Sequence, residues 1–174
     1  MSQAKETAKS PAINAILAEM EQEGQTTRRL LERVPEDKLS WKPHSKSFSL
    51  GQLALHVAQI PVAISSMAIQ DSIQAPEFRQ AEATSQNELL ETHDQGLAKA
   101  KELLSELDDR SLGEQWSVKA GDKTVMSIPR IAVLRSLMLN HNYHHRGALS
   151  VYLRLLDVEI PSIYGPSADE NPFA

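Results

Sequence analysis

The amino-acid sequence predicts an all-α fold: a four-helix bundle in up-up-down-down order with long crossover connections. Three observations point there. Four segments carry apolar residues at three- and four-residue spacing. The connections between the first and second helices, and between the third and fourth, are long. The chain has 174 residues, of which 41% are hydrophobic, enough for one core. Residues 1–174 read as a single domain, with no internal repeat and no low-complexity linker.

The first helix runs from about Ala12 to Val34, with Ile13, Ile16, Leu17, Met20, Leu30 and Leu31 as its stripe. Gly24 weakens its middle and Pro35 ends it. A turn-rich stretch from Pro35 to Ser49 holds Trp41-Lys42-Pro43-His44. Ser49 then reads as the N-cap of the second helix, about Leu50 to Gln70, with Gln52 completing a capping box. Leu53, His56, Ile60, Ala63, Ile64 and Met67 share one face of it. Pro61 cannot donate to the Val57 carbonyl, which predicts a kink one turn after His56.

The third helix, about Ser85 to Asp109, buries Leu90, His93, Leu97, Ala100, Leu104 and Leu107. Its Lys99, Lys101, Glu102, Glu106, Asp108 and Asp109 form a solvated face. Between Leu112 and Pro129 the pattern changes. Trp116-Ser117-Val118-Lys119 and Lys123-Thr124-Val125-Met126 flank Ala120-Gly121-Asp122, which reads as a short hairpin or extended crossover. Pro129 suits the first turn of the last helix, about Ile128 to Leu156. The tail, Asp157 to Ala174, with Pro161, Gly165, Pro166 and Pro172, reads as an irregular strap over the bundle. Trp41 and Trp116 read as packing anchors at the bundle ends.

Composition excludes several functions. A formal charge of −5 and a pI near 5.7 argue against nucleic acid as a partner, since phosphate binding needs a basic face. The absence of cysteine removes disulfides, thiolate nucleophiles and cysteine-type zinc sites together. Met1 to Ser10 is polar and does not read as a signal peptide. No window approaches 18 uninterrupted apolar residues, so no membrane span is expected, and the chain reads as cytoplasmic.

The chemistry lies in His141-Asn142-Tyr143-His144-His145-Arg146-Gly147, which holds three of the six histidines. Residues four apart on a helix lie about 40° apart around the axis and roughly 6 Å along it. His141 and His145 therefore aim at one point, on the face of Leu134, Met138, Ala148 and Tyr152. Two neutral imidazoles on an apolar face need partners for four ring nitrogens, and a divalent cation satisfies two at once. Core histidines bonded to carbonyls or water are the plainer reading. His144 points to the other side with Leu137, Val151 and Leu155, and Arg146 faces away from the pair. His56 and His93 both lie on apolar faces, while His44 sits in a polar loop. If the second and third helices run antiparallel, His93 falls nearer the far end of the bundle, which favours His56 as third ligand.

Two motifs resemble one known family. Ser47-Phe48-Ser49-Leu50-Gly51-Gln52-Leu53-Ala54-Leu55-His56, preceded by Trp41-Lys42-Pro43, is similar to the first histidine motif of the DinB/YfiT-like proteins. Asn140-His141-Asn142-Tyr143-His144-His145-Arg146-Gly147, followed by Tyr152-Leu153-Arg154 and Tyr164-Gly165-Pro166-Ser167, resembles the second. Ala148, where that family commonly has Gln, and Pro61 depart from the pattern. The resemblance implies a four-helix bundle, often a homodimer, holding a divalent metal on His56, His141 and His145, with His144 at the surface or an interface. Zinc is the first expectation; nickel, iron and manganese are alternatives, because imidazole discriminates weakly among them.

Three neutral ligands leave an open position, the arrangement of a catalytic rather than a structural zinc site. No carboxylate lies between His141 and His145 to act as general base, unlike His-Glu-x-x-His. Characterised branches of the resembling family include thiol-dependent transferases and isomerases. The expected function is thus a metal-dependent transferase acting with a low-molecular-weight thiol as small-molecule partner. A metal-dependent hydrolase and a non-catalytic metal-binding stress protein are the alternatives.

Overall fold

Ser10 opens the first helix, α1 (Pro11–Leu31), by accepting the Ile13 amide on its hydroxyl, with Pro11 where a missing N–H costs nothing. The computed structural model describes residues 10–173. The polar stretch Met1–Ser10, expected to carry no signal peptide, lies outside the described residues but for Ser10. α1 runs straight through Gly24, because this glycine is where another helix comes close: a Cβ there would meet Leu97 Cδ2 at 2.6 Å.

α2 (Leu50–Ala68) starts with the predicted capping box. Ser49 accepts the Gln52 amide, and Gln52 Oε1 accepts the Ser49 amide. Among the described residues α2 is the one helix long and apolar enough, by length and composition, to cross a membrane. Over half of that apolar window, 56%, is buried inside the fold. α3 (Gln86–Leu104) begins at the Ser85 cap and stops five residues before the predicted Asp109. Asp108 there accepts the Ser111 amide and caps a separate short helix, α4 (Asp109–Gly113).

The all-α expectation fails at the sheet. β1 (Ser72–Gln74), β2 (Gln115–Ala120) and β3 (Lys123–Pro129) form a three-stranded sheet in the order β1-β2-β3. β2 and β3 are the hairpin read from the alternating segments, turning at Gly121, whose φ of +60° suits glycine. β1 lies parallel to β2, with Ile73 opposite Val118. Its three residues are too few to show periodicity. Trp116 is 1% exposed and donates from Nε1 to the Met67 carbonyl at 3.0 Å, so the sheet is bolted to the end of α2.

The last helical rod comprises α5 (Arg130–Ala132), a π-helical segment (Val133–Asn140) and α6 (His141–Leu155). It ends where Asp157, at φ +57°, lets the Val158 amide reach the Leu153 carbonyl. Cross-contacts set the helix directions. Glu21 meets Lys101 and Arg28 meets Asp94, so α1 and α3 are antiparallel. Ala58 and Val62 pack on Gly96, while Ser49 bonds Glu82 just ahead of α3, so α2 and α3 run the same way. His56 meets His141 and Ala68 meets Arg130, so α2 opposes α6. The order is up-down-down-up rather than up-up-down-down. The long link that crosses over is the one between α2 and α3, and it carries β1. The tail is the predicted strap: Arg29 pairs with Glu170 at 2.6 Å, and the Ile160 and Ser162 amides bond Asp169 and Glu170 at 2.8 Å.

Candidate metal centre

Helix α2 presents His56, and α6 presents His141 and His145 from its first two turns. The pair does not lie on the buried face predicted for it. The face α6 buries is instead Asn142, Arg146, Leu149 and Leu153, and the two histidines are half-buried on its flank. The π segment supplies the reason. It adds a residue to the turn and advances the phase, so the stripe of Leu134 and Met138 continues through Asn142 and Arg146. The histidines are thereby rotated toward α2.

Asn142 fixes how the two helices meet. Pro61 leaves the Val57 carbonyl without its helical donor, and the Asn142 amide supplies one at 2.9 Å. Arg146, 1% exposed, bonds the Glu23 carbonyl and Thr27 and pairs with Glu23 at 2.6 Å. Tyr164 of the tail also bonds it, at 2.5 Å.

The three imidazoles converge. His141 Nε2 lies 2.9 Å from His145 Nε2 and 3.5 Å from His56 Nε2. One nitrogen from each ring falls within 4.8 Å of the others. Two ligands held 2.0–2.1 Å from a tetrahedral ion are about 3.3 Å apart, so the spacing fits a single cation. Two of the outward nitrogens are already used. His56 Nδ1 donates to Gln80 Oε1 at 3.1 Å, while Gln80 Nε2 donates to Gln59. His141 Nδ1 donates to the Leu137 carbonyl at 3.3 Å. The His141 amide does not take up that carbonyl, because it bonds Ser136 and Met138 instead. Both bonds place the proton on Nδ1 and leave an Nε2 lone pair facing inward.

Electrostatics agree. Burial, helped by neighbouring imidazoles, pushes His145 down to about 4. Burial likewise lowers His56 and His141, against the raising effects of Gln80 and the Leu137 carbonyl. All three are neutral donors at pH 7. The donor set therefore suits a borderline divalent ion such as zinc, and among the described residues this is the one cluster of three or more His or carboxylate side chains able to hold one.

Of the remaining histidines only His144 touches the triad, its ring edge-on to His145 with centroids 4.9 Å apart. His93 is in the core, 2% exposed, and donates from Nε2 to the Gly24 carbonyl at 2.9 Å. His144 and His44 are exposed. Two openings reach the triad. Phe48 and Phe78 flank a shallow outer mouth of about 270 Å³. His56 and His141, with Phe78, also border a chamber of about 400 Å³ between α2 and the sheet. Gln80, Asn142 and the π segment had not been singled out from sequence. Only Asn142 had a signal, the carbonyl that Pro61 orphans.

The DinB family model matches residues 1–172. The chain belongs to the DinB family. Two solved DinB-like structures share its fold. One from Bacillus cereus is 23% identical with a TM-score of 0.68, covering 87% of this chain and 97% of its own. One from Bacillus subtilis is 22% identical with a TM-score of 0.67, covering 86% and 96%. The uncharacterized protein YrdA of Bacillus subtilis is 27% identical over 160 residues, 91% of each chain. The sheet and the up-down-down-up order are thus features of this DinB chain that a plain four-helix bundle omits.

Proposed function

We propose that this DinB protein is a divalent-metal-dependent enzyme, with His56, His141 and His145 as ligands, acting as a transferase that uses a low-molecular-weight thiol. The observation that carries it is the convergence of three neutral imidazoles with no fourth His or carboxylate ligand grouped with them among the described residues. Zinc is the ion the donor set suits first. Such an ion supplies Lewis acidity at an open position. The chain does the rest. Gln80 and the Leu137 carbonyl hold two rings in the tautomer that points lone pairs inward. Phe48 and Phe78 shape an apolar entrance on the solvent side.

The transferase reading is favoured over hydrolysis because, among the described residues, no carboxylate is grouped with the triad to act as general base for water. A thiol ionises more readily and needs less help. Replacing the ion by cobalt gives the test. Adding a small thiol is expected to produce a new sulfur-to-cobalt absorption band, absent in His145→Ala. An unchanged spectrum at saturating thiol, in protein shown to hold cobalt, would overturn the proposal.

A further inference from the structure

The chamber behind the triad is nearly all hydrocarbon. Ile60, Ile64 and Met67 of α2 face Trp116, Val118 and Met126 of the sheet across about 400 Å³. That lies within the ~300–1,000 Å³ typical of small-ligand sites. Its polar groups are Gln80, which bonds both His56 and Gln59, the triad members His56 and His141, and the largely solvent-exposed Arg79 at the rim. Trp116 offers no donor to a ligand, because its N–H is committed to the Met67 carbonyl. The arrangement is graded: donors and a metal-binding corner at one end, apolar walls beyond.

We propose that the molecule brought to the triad carries an alkyl or aryl body that fills this chamber, with its polar head at the His56–His141 end. The proposal rests on the triad being the metal centre. His56, Phe78 and His141 border both the chamber and the outer mouth, whereas Phe48 and His145 line the mouth and not the chamber. A hydrophobic substrate inside the chamber therefore leaves the Phe48 and His145 side of the mouth for a thiol. Polar metabolites of the same size would strip water from their own polar groups against Ile64, Val118 and Met126, and are disfavoured.

Straight-chain hydroxamates of increasing length test this, because their heads bind metal ions and their chains do not. Binding is followed by Trp116 fluorescence in a Trp41→Phe background, in metal-loaded and metal-stripped protein. Affinity is expected to rise about fourfold per added methylene until the chamber is full, with the same slope in both states. Removing the metal should weaken every member by one common factor. Ala63→Trp, on the chamber wall, should abolish the slope while leaving metal content and acetohydroxamate affinity unchanged. Met126→Trp on β3 serves the same purpose should Ala63→Trp fail to fold. A flat response to chain length in both states overturns the chamber proposal. A normal slope in protein that takes up no metal supports the chamber and sinks the metal reading instead.

Discussion

Gln80 and the Leu137 carbonyl do for His56 and His141 what no feature of the histidines themselves can: they choose which ring nitrogen keeps its proton. Gln80→Leu is therefore expected to lower metal affinity by about 10–100-fold, the usual effect of losing such a partner, without loss of helix content. Competition against a chromophoric chelator reads it directly; unchanged affinity would remove Gln80 from the account. His93 is a different kind of residue. Its ring is sealed between α1 and α3, and burial lowers its pKa below the usual 6.5 despite the nearby Asp94 carboxylate. The unfolded chain then takes up a proton that the fold refuses. The stability tied to a neutral His93 is present above pH 6.5 and is lost as pH falls from 6.5 through the lower folded value. Urea midpoints of wild type are expected to drop across that window. The triad histidines, lowered by burial too, keep part of the drop, so His93→Leu should lessen it, and an equally steep drop in the variant would contradict it.

At the scale of elements, α2 and α6 are joined by a repair. Pro61 breaks the ladder at Val57, and Asn142 donates to the orphaned carbonyl. Asn142→Leu leaves a buried acceptor unpaired and is expected to cost about 1–3 kcal/mol. In a Pro61→Ala background the helix supplies its own donor, so the same substitution should cost less. Equal costs in both backgrounds, measured as a double-mutant cycle, would refute the coupling. What the sequence showed about elements follows the length of the signal. The stripe of α1 and the β2–β3 hairpin extend over many residues and were legible, and the four-residue Ser49–Gln52 box was legible from its residue types. β1 has three residues and pairs with a strand more than forty positions away, so nothing local marks it. The π segment reads as ordinary helix because its composition is that of one. It nonetheless decides which face of α6 is buried, and so the predicted face placed His141 and His145 in the core rather than on its flank. The histidines themselves were legible because a four-residue spacing survives that rotation.

Across the whole molecule, the centre ties together segments far apart in the chain. His56 and His141 are separated by 85 positions, and the link bearing Gln80 closes over them. An ion bound there favours the folded state over the unfolded by mass action, about 4 kcal/mol at a free concentration a thousandfold above Kd. For a chain of this size that corresponds to a rise in Tm of roughly 10 °C. Zinc is expected to raise the Tm of wild type and not of His145→Ala. An identical rise in both would place the ion elsewhere. The most direct measurement is elemental analysis of the purified protein beside His56→Ala. About one divalent ion per chain in wild type and none in the variant is the predicted result; no ion in either, or the same content in both, would contradict a centre built on these three rings.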